Sequence, residues 1–157
     1  MLAQVVARVK RVRSCGASLD ASVSPLRILI VDDHEAVRSS LRTLLSSSDW
    51  VISGEACDGL EAVEKTRSIR PDLVLMDISM PRMDGIAATR IIRQEMPEAE
   101  VIMISQNDPK LVARQARDAN ARGYVSKSEL GQSLLPMIHK LVEEKRATLS
   151  ERELRSQ

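Results

Sequence analysis

An α/β fold, a doubly wound five-stranded parallel sheet with five helices, is predicted by three observations on this 157-residue chain. From Arg27 onward, short apolar runs alternate with longer segments of helical period. The runs are apolar at consecutive positions, as strands buried on both faces of a parallel sheet must be. The core must also be aliphatic, because Phe is absent and Trp50 and Tyr124 are the only aromatic residues.

The elements follow in order. "RILIVD" reads as a first strand, and "HEAVRSSLRTLLSSS" as a helix with Val37, Leu41, Leu44 and Leu45 on one face. "VISGEAC" is a weaker strand; "DGLEAVEKTRSI" follows as a helix that turns Leu60, Val63, Thr66 and Ile69 inward. "DLVLMD" is the third strand, and "GIAATRIIRQEM" a helix packed through Ile86, Ala87, Ala88, Ile91 and Ile92. "VIMIS" is the fourth strand. "DPKLVARQARDAN" is a more polar helix with a thin stripe of Leu111, Val112 and Ala116, and Asn120 suits a left-handed position at its end. "GYVSK" closes the sheet. The last helix, "SELGQSLLPMIHKLVEEKR", carries Leu130, Leu134, Ile138, Leu141 and Val142, and Pro136 predicts a kink or break near residue 135. Right-handed crossovers make the flavodoxin-like order 2-1-3-4-5 the simplest topology.

Charge and composition narrow the function classes. A formal net charge of +1 gives no overall pull toward nucleic acid or an anionic membrane. Cys15 and Cys57 are the only cysteines, so neither a disulfide framework nor a CxxC-type metal site is indicated. Arg8, Lys10, Arg11 and Arg13 interrupt the stretch where a secretion signal needs an apolar run, and a cytoplasmic location is expected. Residues 1–24 pass from the basic "VVARVKRVR" into the small, polar "SCGASLDASVSP"; they read as a flexible extension, with a basic docking helix as the alternative.

In a doubly wound sheet, ligands bind beyond the carboxyl ends of the strands. There the first strand ends in Asp32 and Asp33, the third in Asp77, the fourth in Ser105 and the fifth in Lys127. Taken singly, each has a plain structural use: Asp32 or Asp33 as a helix cap, Ser105 as the start of a turn, Lys127 as a solvated loop lysine. Together, three carboxylates on one rim repel one another unless a cation joins them. A hard ion such as Mg²⁺, held by one or two carboxylates, a carbonyl and waters, relieves that repulsion and completes its shell with a phosphate oxygen. Lys127 and Ser105 supply donors for such a phosphoryl group. Asp77 has two roles open to it, metal ligand and nucleophile toward phosphorus.

The segments "ILIVDDHEAVR", "PDLVLMDISMPRMDG", "VIMIS" and "ARGYVSK", in this order and spacing, resemble the CheY-like receiver domain of bacterial two-component response regulators, in particular the NarL/FixJ-type branch. The likeness spans about residues 26–146. It implies that Asp77 is the phosphoryl acceptor, and that Asp33, Asp77 and the main-chain carbonyl of Ser79 hold Mg²⁺ directly, with Asp32 acting through a coordinated water. It implies that Lys127 pairs with a phosphoryl oxygen, that Ser105 is the switch hydroxyl and that Tyr124 is the switch aromatic. The implied donor is a phosphohistidine on a sensor histidine kinase or a small acyl phosphate, and homodimerisation on phosphorylation is a further expectation. At Gln106 the sequence departs from the family's usual small residue, and a long amide there would crowd the pocket or reach the phosphate.

Residues 147–157 are expected to be a linker or the beginning of a truncated LuxR-type helix-turn-helix domain, since "LSEREL" resembles its opening and Ser150 and Glu153 have capping-box spacing. DNA binding is then expected only through an output domain absent here. A stand-alone receiver working through protein contacts or phosphorelay is the alternative. A haloacid-dehalogenase-type hydrolase needs a second Asp two residues after the nucleophile, where this chain has Ser79, so turnover of an external substrate is not expected. Flavodoxin-like cofactor binding is weaker still, because no aromatic lines the rim.

Overall fold

The computed structural model describes residues 24–157. Residues 1–23, with Cys15 and nearly all of the expected N-terminal extension, lie outside that range. Five strands, β1 (Arg27–Val31), β2 (Val51–Ala56), β3 (Leu73–Asp77), β4 (Glu100–Ser105) and β5 (Gly123–Ser126), alternate with helices α1 (Glu35–Leu45), α2 (Gly59–Ile69), α3 (Gly85–Glu95), α4 (Pro109–Asp118) and α5 (Leu135–Arg155). All strand pairings are parallel and the order is β2-β1-β3-β4-β5, as the alternation predicts.

The apolar strands are divided between two cores by the two-residue period of a strand. Ile28, Ile30, Leu73, Leu75, Ile102 and Ile104 meet Leu41 and Leu45 of α1 and Ile138 and Leu141 of α5 on one face. Leu29, Val31, Val74, Met76 and Val101 face the other way, onto Ala62 and Val63 of α2 and Ala88 and Ile92 of α3. A third patch, Met103 with Val112 and Ala116, seats α4 beside Ile78 and Tyr124. The central strand β3 is buried at every residue, so nothing in it is free to shift without disturbing both cores.

Two packing expectations need correcting. Leu60 and Leu111 are 43% and 50% exposed rather than packed inward. In α2 the inward positions are Ala62, Val63 and Thr66, and in α4 Val112 and Ala116, so each helix offers a narrower stripe than its apolar residues suggest. Asn120 takes the left-handed conformation (φ 58°) immediately after the α4 cap residue Ala119. The break expected near residue 135 is present as a change of helix type: a 3-10 turn at Lys127–Glu129, a π-helical stretch at Leu130–Leu134, then α5 with Pro136 in its first turn, where a missing N–H costs no hydrogen bond. Helix α5 continues unbroken to Arg155, so the expected boundary at residue 146 falls inside a helix.

Candidate functional site

Strand register brings the acidic groups level. Val31 pairs with Met76, Asp77 with Ile104, and Ser105 with Ser126, so the residues just beyond these pairs open on one rim. Asp32, Asp77 and Ser105 are buried there.

Lys127 lies between two of the acids. Its Nζ stands 2.7 Å from Asp32 Oδ2 and 3.2 Å from Asp77 Oδ1. Asp32 Oδ1 accepts the His34 N–H at 2.8 Å, so both carboxylate oxygens of Asp32 are engaged. Asp33 differs. Its Oδ1 is buried and accepts no hydrogen bond, although His34 Nδ1 lies 2.9 Å away; the two are close without the direction that a hydrogen bond needs.

Burial and the neighbouring negative charge of Asp32 push the Asp77 carboxyl up to about 6, against the pull of Lys127 and with a further push from Asp33. Burial alone would lower the Lys127 ammonium, but the hydrogen bond to Asp32 and the charge of Asp77 prevail and raise it. One ammonium therefore serves two of the three carboxylates, and Asp33 is left without a lysine or arginine beside it among the described residues.

The loop after β3 is built to return on itself. The Gly85 N–H donates to the Ile78 carbonyl at 2.8 Å, and a Cβ at Gly85 would lie 1.9 Å from the Asp77 carbonyl oxygen. Only glycine permits that approach. Arg82, in the left-handed region (φ 65°), pairs with buried Asp58, the cap of α2, and the Gly59 N–H donates to the Met83 carbonyl at 3.0 Å. These ties leave Ser79 exposed at the turn, with no hydrogen bond to its carbonyl among the described residues.

Asp32 and Asp33 gather with His34 into a cluster that could hold a metal ion, and the orphaned Asp33 oxygen and the Ser79 carbonyl are oxygen donors of the kind that suits a hard divalent cation such as Mg²⁺. Ser105 Oγ accepts the Asn107 N–H at 3.0 Å, so this hydroxyl also starts a turn. Tyr124 is half-buried against the Met103 patch, and Gln106 is exposed beyond β4. Two residues near the acids had no part in the expectations. The place of His34 directly after the acidic pair is visible in the sequence, whereas Arg38 reaches Asp32 and Glu55 only through the fold.

Known proteins share this fold. The model of the response regulator receiver domain family matches residues 28–139. The response regulator protein VraR of Staphylococcus saprophyticus is 34% identical over 117 residues, which cover 74% of this chain and 56% of that protein. The chain thus spans little more than half the length of such relatives. Among solved structures, a LuxR-family two-component response regulator from Aurantimonas sp. is 35% identical with a TM-score of 0.72, covering 77% of this chain and 87% of the other. A chain of the CheX–CheY complex with BeF3 and Mg from Borrelia burgdorferi is 30% identical with a TM-score of 0.71, covering 75% and 90%. The chain belongs to the response regulator receiver domain family, and residues 28–139 are the receiver domain of a two-component response regulator.

Proposed function

We propose that Asp77 is the phosphoryl acceptor of this receiver. The observation that carries the reading is the unmatched charge: three carboxylates against one ammonium, with Asp77 pushed up to about 6 at the end of a fully buried strand. A carboxylate oxygen of Asp77 attacks phosphorus, the bond from phosphorus to the donor's leaving group breaks, and an acyl phosphate forms on the side chain. The donor is a phosphohistidine on a sensor histidine kinase or a small acyl phosphate. Asp33, Asp77 and the Ser79 carbonyl would hold Mg²⁺ directly and Asp32 would act through a coordinated water; the ion, when bound, would neutralise charge on the phosphoryl oxygens. The Borrelia neighbour, a complex that contains BeF3 and Mg, supports a role for Mg²⁺ in this receiver.

Lys127 moves from its pairing with Asp32 toward a phosphoryl oxygen, and the Ser105 hydroxyl gives up the Asn107 N–H to donate to another. Tyr124 packs deeper against the Met103 patch as Ser105 moves, which biases the face formed by α4, β5 and α5 between two states. The protein turns over no external substrate, works in the cytoplasm and signals through a LuxR-type DNA-binding output domain, with homodimerisation on phosphorylation. The LuxR-family relative supports that output, and no helix among the described residues is long and apolar enough to cross a membrane.

Incubation with acetyl phosphate and Mg²⁺, followed by intact mass and tryptic mapping, tests the acceptor. One phosphoryl adduct on the peptide carrying Asp77 is expected, and none on Asp77→Asn. An adduct that persists on the variant would assign the acceptor elsewhere.

A further inference from the structure

The acidic turn is held from outside the site by one side chain. Arg38, on the second turn of α1, donates from Nη1 to the main-chain carbonyl of Asp32 at 2.8 Å. That carbonyl belongs to the peptide linking Asp32 to Asp33. The peptide is planar, so fixing its oxygen also fixes the nitrogen and the Cα of Asp33. The Asp32 side chain has anchors of its own, in Lys127 and the His34 N–H. Asp33 Oδ1 has no hydrogen bond, and its position depends on the backbone beneath it.

Arg38 is in turn held by two carboxylates: its Nε donates to Glu55 Oε2 at 2.9 Å, and its remaining nitrogen pairs with Glu35. Glu55 lies on the edge strand β2, where Lys65 of α2 donates to its carbonyl. Arg42 bridges the same Glu35 and Glu55 but makes no contact with Asp32 among the described residues. Arg38 is only 14% exposed, whereas Arg42 is 37% exposed.

We propose that Arg38 is a positioning residue for the metal site: by gripping the Asp32 carbonyl from α1 and the edge strand, it aims the unpartnered Asp33 carboxylate at the cation. This rests on the reading of the acidic rim as a Mg²⁺ site. The planar guanidinium matters because it reaches the carbonyl and Glu55 at once, which an ammonium cannot do with the same geometry. Outer groups that orient metal ligands typically contribute a factor of 10–100 in affinity.

The test is direct Mg²⁺ titration by calorimetry on the full chain, with urea denaturation in parallel. Arg38→Met is expected to weaken Mg²⁺ binding about 10-fold or more, and Arg38→Lys to weaken it less. Arg42→Met, which disturbs the same two carboxylates, is expected to bind Mg²⁺ as the unsubstituted chain does. A merely structural role predicts another pattern, in which both methionine variants lose stability and keep the original affinity. Unchanged affinity in Arg38→Met, or an equal loss in Arg42→Met, overturns the inference while leaving the Mg²⁺ site in place. If the unsubstituted chain binds no Mg²⁺, the site reading falls and the inference with it. If Arg38→Met does not fold, Arg38→Lys against Arg42→Met decides the question.

Discussion

The two ends of the sheet treat charge in opposite ways. At the amino end, several acids and bases form separate pairs: Arg67 with Glu95 at 2.8 Å, Arg70 with Glu98 at 3.5 Å, Arg93 with Glu100 at 3.4 Å and Lys145 with Asp72 at 3.9 Å. Most of these side chains reach solvent, where such pairs add little to stability and need no third party. At the carboxyl end, Asp32 and Asp77 share Lys127 and are buried, while Asp33 has no lysine or arginine beside it among the described residues. The same chain that balances its charges at one rim leaves them unbalanced at the other. The imbalance falls at the rim where a doubly wound sheet places its ligands.

The largest effect that sharpens this comparison comes from the loop that carries Asp77. Gly85→Ala would press a methyl group against the Asp77 carbonyl, which is backbone and cannot rotate away. A loss of about 3 kcal/mol in urea denaturation is expected, at the upper end of overpacking costs. A loss below about 1 kcal/mol would mean that the rim is softer than its neighbours suggest.

A smaller effect measures the imbalance itself. The Asp77 carboxyl is raised from 3.8 to about 6 by folding, so between those values the native state holds a proton that the unfolded chain releases. Stability in the absence of divalent cations therefore falls as pH rises through that window, by on the order of 2 kcal/mol. Asp77→Asn should abolish that fall and be the more stable protein at pH 7.5 without Mg²⁺, with the gap closing as Mg²⁺ is added. Denaturation midpoints at pH 4.0 and 7.5, with and without the cation, check it; an unchanged pH slope in the variant would place the strain on another acid.

The smallest effect belongs to the other rim. Arg67→Ala removes one side of an exposed pair, and the denaturation midpoint is expected to stay within experimental scatter at moderate salt.

What the sequence made legible follows from physical range. The strands were readable because a strand buried on both faces must be apolar at each position, a signal complete within five or six residues such as Leu73–Asp77. Asp32, Asp77 and Lys127 were readable because strand ends in a parallel sheet meet at one rim. Helix faces were less so: Leu60 and Leu111 sit at apolar-looking positions that their neighbours cover only in part. Contacts between distant elements left no periodic trace. Arg38 with Glu55, and Arg82 with Asp58, join residues 17 and 24 positions apart, and only the fold brings them together.

The change of helix type after Lys127 has a mechanical consequence. Helix α5 starts eight residues beyond Lys127 and runs 21 residues, about 30 Å at 1.5 Å per residue. Its base is gripped by Ile138 and Leu141, while its last three turns stand clear of the core. It is shaped as a lever with its fulcrum in the domain. A tilt of ten degrees about that fulcrum displaces the tip by about 4 Å, so an adjustment too small to disturb the sheet becomes a sizeable movement at the end of the helix.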